Sequence, residues 1–108
     1  MFRGSEPRPL FIDFDAYTDG DADFKKELIT LIIDNLRELQ EAAVRASEKN
    51  DGPLFDKCCH RIKATLTMLD DQALFEKVDQ LKANITNAAS VSTLHDLCEG
   101  IIESLNRE

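Results

Sequence analysis

The run Cys58-Cys59-His60-Arg61-Ile62-Lys63-Ala64-Thr65-Leu66 holds the side chains of this sequence best suited to do chemistry. Around it, apolar Phe55, Cys59, Ile62, Leu66 and Leu69 recur at steps of four and three. At about 100° per residue that spacing lines one stripe of an amphipathic helix. His60 falls outside the stripe: on the same wheel it projects to the opposite side, beside Asp56, Lys63 and Thr67, with small Ala64 close by. The core has no use for an imidazole placed there. Lys57, Arg61 and Lys63 against Asp56 leave residues 56–64 at net +2, in a chain whose formal net charge is −8. A histidine held outward on a rigid helix, inside a locally cationic stretch, suits an anionic group bonded to or docked at its ring.

Free imidazole titrates at about pH 6.5, so near neutral pH much of it is the neutral nucleophile. Its unprotonated nitrogen can attack an activated phosphoryl group, and nearby ammonium or guanidinium groups favour the charge of the resulting phosphoramidate. Lys63, at i+3, shares the face, and Arg61 and Lys57 add to the wider field. Ala64 keeps the approach open for a bulky partner. A convex helix surface excludes little water and organises few donors, so it is poor ground for autonomous catalysis. A partner has to bring the rest of the site. The plainer reading of these residues is a solvated, charged helix face that happens to include a histidine.

Four long amphipathic segments would position this helix. Polar, proline-punctuated residues 1–9 read as a flexible lead-in, and residues 10–108 as a single domain. Phe11 to Tyr17 is a short apolar patch that needs a neighbour to lie on. From about Asp21 to Ser47 the pattern is helical, with Phe24, Leu28, Leu31, Leu39 and Ala42 on a stripe assigned to the interior, while Ile29, Ile33 and Leu36 form a second. That second face is expected to be covered in part by the Phe11–Tyr17 segment and in part left for a protein partner. Asn50-Asp51-Gly52-Pro53 starts the His60 helix, predicted over about 52–69. Asp70-Asp71 ends it and caps the next, whose stripe is Leu74, Val78, Leu81, Ile85 and Ala88; Ser90 or Ser92 caps the last, with Leu94, Leu97, Cys98, Ile101 and Leu105. Short polar turns make sequential helices neighbours. The predicted fold is all-α: an antiparallel up-and-down four-helix bundle with a short extra N-terminal helix.

Composition narrows the function classes. At 108 residues there is room for one modest core and none for a two-lobed enzyme. A net charge of −8 disfavours nucleic acid, whose binding rests on clustered lysine and arginine. Three cysteines lack zinc-type spacing, and adjacent Cys58 and Cys59 cannot converge with His60 on one ion, so no metal site is read; the Asp13–Asp23 carboxylates serve as turn and cap residues. Free thiols, no apolar run long enough to span a bilayer and no signal-like apolar start point to a cytoplasmic protein that does not enter the membrane. Cys59 and Cys98 read as core fillers, Cys58 as a rim residue and His95 as a surface or capping residue.

The run His60-Arg61-Ile62-Lys63-Ala64-Thr65 resembles the phosphoacceptor helix of histidine-containing phosphotransfer (HPt) domains, whose pattern is His-x-Leu-Lys-Gly-Ser or a close variant. The resemblance extends over the predicted bundle as a whole. It implies a phosphorelay carrier of two-component signalling, without autokinase activity, in which His60 accepts a phosphoryl group from an aspartate of a response-regulator receiver domain and passes it to another. Lys63 would be the charge partner, with Arg61, Ala64 and Lys82 in support; Gln80 is an alternative to Lys82 for steadying the imidazole. Phe11, Ile29, Ile33 and Thr67 would help the partner dock. Ala64 stands where the family usually has glycine, and Asp70 where it has glycine near the helix end. The implied partners are receiver domains, with a hybrid histidine kinase as a further candidate. The protein would be a monomer with no cofactor of its own, any magnesium belonging to the receiver. Two other readings use the same helices: an adaptor or antagonist that binds a receiver or kinase domain without being phosphorylated, and a dimeric helical scaffold.

Overall fold

Turn and cap residues divide residues 8–108, the part described by this computed structural model, into α1 (Phe14–Thr18), α2 (Ala22–Lys49), α3 (Gly52–Arg61), α4 (Lys63–Leu69), α5 (Gln72–Ala83) and α6 (Ala88–Asn106). Among the described residues there is no strand. Asp13, Asp21, Asp51, Asp71 and Asn87 each accept a first-turn backbone N–H on the helix that follows, satisfying donors that the helix itself leaves free. Asp19, Asn50 and Asp70 end α1, α2 and α4 in the left-handed region, with φ of 53°, 51° and 48°, a conformation that asparagine and aspartate tolerate better than most residues. The cap of α6 is Asn87, whose Oδ1 accepts from the backbone N–H of Ser90 at 3.1 Å; Ser90 and Ser92 lie inside the helix. The helix predicted over 52–69 is interrupted at Ile62 (φ −99°, ψ 17°). Its N–H still reaches Cys58 O and its carbonyl still accepts from Leu66 N–H, both at 3.1 Å, so the interruption is one residue wide.

α2 packs along α3 and α6, α5 along α6 and α3, and α1 rests on α2. The predicted stripes of α3–α4, α5 and α6 are buried in the shared core, apart from half-buried Leu97 and from Ala88, which is exposed at the start of α6. In α2 the interior stripe differs from the prediction. Leu28, Ile32, Leu36, Leu39, Ala43 and Ala46 face inward, while Phe24 and Leu31 are about half exposed, at 47% and 50%. The two expected stripes straddle the true one, which runs between them. A segment apolar over this much of its circumference leaves its rotation open until its neighbours are known.

Polar ties then lock the helices in register. Asn35 Nδ2 donates to Thr65 Oγ1 at 2.7 Å, joining α2 to α4. Gln40 donates through Nε2 to Glu99 Oε2 at 2.8 Å and to His95 O at 3.1 Å, and Arg37 pairs with the same Glu99 carboxylate, joining α2 to α6. The Gln40 hydrogen bond holds the Glu99 carboxyl below its ordinary pKa against the opposing effect of burial, and the Arg37 charge adds to the lowering.

The flexible lead-in expected at 1–9 does not hold at Arg8. Residues 1–7 lie outside the described residues, but Arg8 is held from three sides. Its guanidinium forks onto the buried carboxylate of Asp71, at 3.0 and 2.9 Å, its N–H donates to Gly100 O at 3.2 Å, and its carbonyl accepts from Ser104 Oγ. A bidentate pair of this kind matches arginine's planar donors to a carboxylate that burial would otherwise penalise. Ile12 and Phe14, buried just beyond, complete the attachment.

Replacing Arg8 with alanine leaves the Asp71 carboxylate with its α5 cap bonds alone. The expected cost is about 2 kcal/mol, read as a lower urea midpoint with an unchanged slope. Because the folded state favours ionised Glu99, its contribution is present above the ordinary carboxyl range and is lost as pH falls through the lowered pKa. Glu99→Gln is therefore expected to lower the melting temperature at neutral pH, with the gap from wild type closing on acidification.

Candidate functional site

The stripe Phe55, Cys59, Ile62, Leu66 and Leu69 is buried without exception, and this sets the rotation of α3 and α4. Asp51 starts the helix by accepting from Leu54 N–H at 3.2 Å, with Pro53 in the first turn, where its missing N–H costs nothing. With the stripe inside, His60, Lys63, Ala64 and Thr67 come out exposed, as the periodicity requires. Among the described residues neither ring nitrogen of His60 has a hydrogen-bond partner. The one-residue interruption at Ile62 does not separate His60 from Lys63: both line one open groove between α3–α4 and α5.

The groove has an apolar floor and a charged rim. Cys59, Leu66 and Val78 are buried beneath it and Phe75 is half-buried. On the rim stand His60, Lys63, Asp56 and Thr67 from α3–α4, facing Lys82 and Asp79 from α5. Among the described residues none of Asp56, Lys63, Asp79 and Lys82 is in an ion pair. Such a surface can present a nucleophilic nitrogen and two ammonium groups to a visiting anion. It encloses too little space to exclude water from a reaction by itself.

The other predicted site residues divide into those the fold brings here and those it does not. Lys82 comes to the groove from α5, while Gln80 accepts from Lys77 Nζ at 2.9 Å and does not line it. Arg61 does not support His60. Its guanidinium pairs with Glu38 on α2, and with Lys57 it lines a separate cleft between α2 and α3. The local +2 read along the chain is thus shared between two sides of one helix, because Lys57 and Arg61, four residues apart, face α2 while His60 and Lys63 face α5. Thr65 is a buried interhelix tie.

Of the expected docking residues, Thr67 lies on the rim of the groove and Phe11 is exposed, at 55%. Ile29 and Ile33 are half-buried against the core. They share a flank of α2 with Arg37 and Gln40, the residues that reach α6. The flank turned toward α3 and α4 is the one carrying Asn35 and Glu38, and its exposed apolar side chains are Phe24 and Leu31. Sequence reasoning also passed over Phe75 and Asp79. With Lys82 they recur at steps of four and three, one flank of α5, but nothing in that spacing says which helix the flank will face.

The cysteines are buried and unpaired, Cys58 included, contrary to its reading as a rim residue. Burial pushes the Cys59 thiol up to about 12, overriding the Lys82 charge, and does the same for Cys98. The Cys58 thiol is raised by burial too, against the lowering influence of Arg61.

Compared with models of protein families, with curated proteins and with solved structures, this chain matches none.

Thiols raised in this way hold almost no thiolate at neutral pH. In the native state all three are expected to react with a disulfide reagent far more slowly than a free cysteine at pH 8, and to become available together when guanidinium unfolds the protein.

Proposed function

We propose that this chain is a phosphorelay carrier, built as an up-and-down four-helix bundle of α2, α3 with α4, α5 and α6, with α1 as the short extra helix. His60 takes a phosphoryl group from the aspartyl phosphate of a response-regulator receiver domain and hands it to another. The observation that carries this reading is the imidazole itself: exposed, without a ring partner among the described residues, and set in one groove with Lys63 and Lys82. Resemblance of His60-Arg61-Ile62-Lys63-Ala64-Thr65 to the HPt motif supports it. So does the Asn35–Thr65 bond, which ties the start of α4 to α2 and so limits movement of the helix beside the imidazole.

The transfer is a displacement at phosphorus. The lone pair of one imidazole nitrogen forms the N–P bond as the acyl O–P bond breaks, and the receiver carboxylate leaves with the bonding electrons. The phosphoimidazolium so formed releases the proton on its other nitrogen to solvent. Lys63 and Lys82 supply positive charge where the phosphoryl oxygens come to rest, a charge-assisted contact stronger than a neutral hydrogen bond. The receiver brings the magnesium and the organised donors that an open groove lacks, and the reverse displacement discharges the histidine to the next receiver. The carrier has no kinase activity of its own.

Incubation with a receiver domain phosphorylated by acetyl phosphate is expected to place acid-labile, alkali-stable label on the wild-type protein and none on His60→Gln. Lys63→Ala is expected to slow transfer about tenfold, equivalent to about 1.4 kcal/mol of lost transition-state stabilisation. Binding to the receiver with no transfer of label to the wild type would move the reading to a non-phosphorylated adaptor.

A further inference from the structure

Two carboxylates stand where an anion is to be received. Asp56, one turn before His60 on α3, and Asp79 on α5 line the same groove as the imidazole and its lysines. Both are exposed, and neither is in an ion pair among the described residues. Each could have been neutralised locally, since Lys63 and Lys82 share the groove, yet the four charges stay apart. A phosphoryl group brings a charge of about −2, which the two ammonium groups can offset. Asp56 and Asp79 are then left as uncompensated negative charge on the rim. They disfavour small anionic donors and any partner whose own rim is acidic.

Resting on the phosphorelay reading above, we propose that Asp56 and Asp79 select the partner: the groove fits a receiver domain carrying lysine or arginine side chains on the rim around its phosphorylatable aspartate. Charge complementarity at a rim acts chiefly on the encounter rate and on the rejection of wrong partners, and salt screens it. Neither acid takes part in the Asn35–Thr65 tie that braces α4. The overall −8 of the chain adds a weaker attraction of the same sign at longer range.

The test uses the whole chain and a panel of receiver domains phosphorylated with acetyl phosphate, some with basic and some with acidic residues around the phosphorylation pocket. With basic-rimmed receivers, Asp56→Asn combined with Asp79→Asn is expected to lower the second-order rate constant for transfer about tenfold at low salt. The difference should shrink between about 0.05 and about 0.5 M salt. Acidic-rimmed receivers should gain, and Asp56→Glu with Asp79→Glu should restore the wild-type preference. Circular dichroism of the variants confirms that the helices are intact. Equal rate constants for wild type and the double asparagine variant across the panel would overturn the proposal while leaving the relay intact, as would a fall confined to the saturated rate. Failure of every receiver to label the wild type would remove both.

Discussion

The arrangement depends on the one-sided burial of α3 and α4. Phe55, Cys59, Ile62, Leu66 and Leu69 occupy the interior side of this helical pair. Burying a large apolar side chain contributes about 1.5–3 kcal/mol. Turning the pair over to hide His60 would forfeit several such contributions at once, a loss on the scale of a domain's whole stability of about 5–15 kcal/mol. It would also place an imidazole and an ammonium in an apolar core without partners. The outward position of His60 is therefore a consequence of what its helix must bury.

Burial sets rotation but leaves sliding loosely constrained, since apolar contacts are non-directional. The interhelix polar ties supply the missing direction. Asn35 to Thr65 and Gln40 to Glu99 each bond only at one register, and the Arg8 fork on Asp71 fastens the N-terminal segment across the starting turn of α5. Asp71 serves twice, as a cap for α5 and as the anchor for Arg8. Since α5 carries Phe75, Asp79 and Lys82 to the groove, a tie remote from His60 helps to determine what the imidazole faces.

The electrostatics of the site are those of a groove rather than of a stretch of sequence. Adjacent charges on a helix point in different directions, and Arg61 spends its charge on Glu38 while Lys82, distant in the chain, joins Lys63. The result is a rim of mixed sign over an apolar floor. The docking of a receiver domain proposed above rests on that pattern.

Much of this was legible without coordinates. An all-helical chain, the breaks near Asp51 and Asp71, the interior stripe of α3 and α4 and the exposure of His60, Lys63 and Thr67 follow from local periodicity and cap chemistry, which act between residues a few positions apart. The cap at Asn87 is legible too, in Asn84-Ile85-Thr86-Asn87. Three things were decided only in three dimensions: the rotation of α2, the capture of Arg8 by Asp71, and the meeting of α3–α4 with the flank of α5 that carries Phe75, Asp79 and Lys82. Each depends on which surface of one helix meets which surface of another. A helix apolar over much of its circumference, or an arginine in a polar lead-in, carries no local mark of the partner it will find, because that choice belongs to the packing of the whole chain.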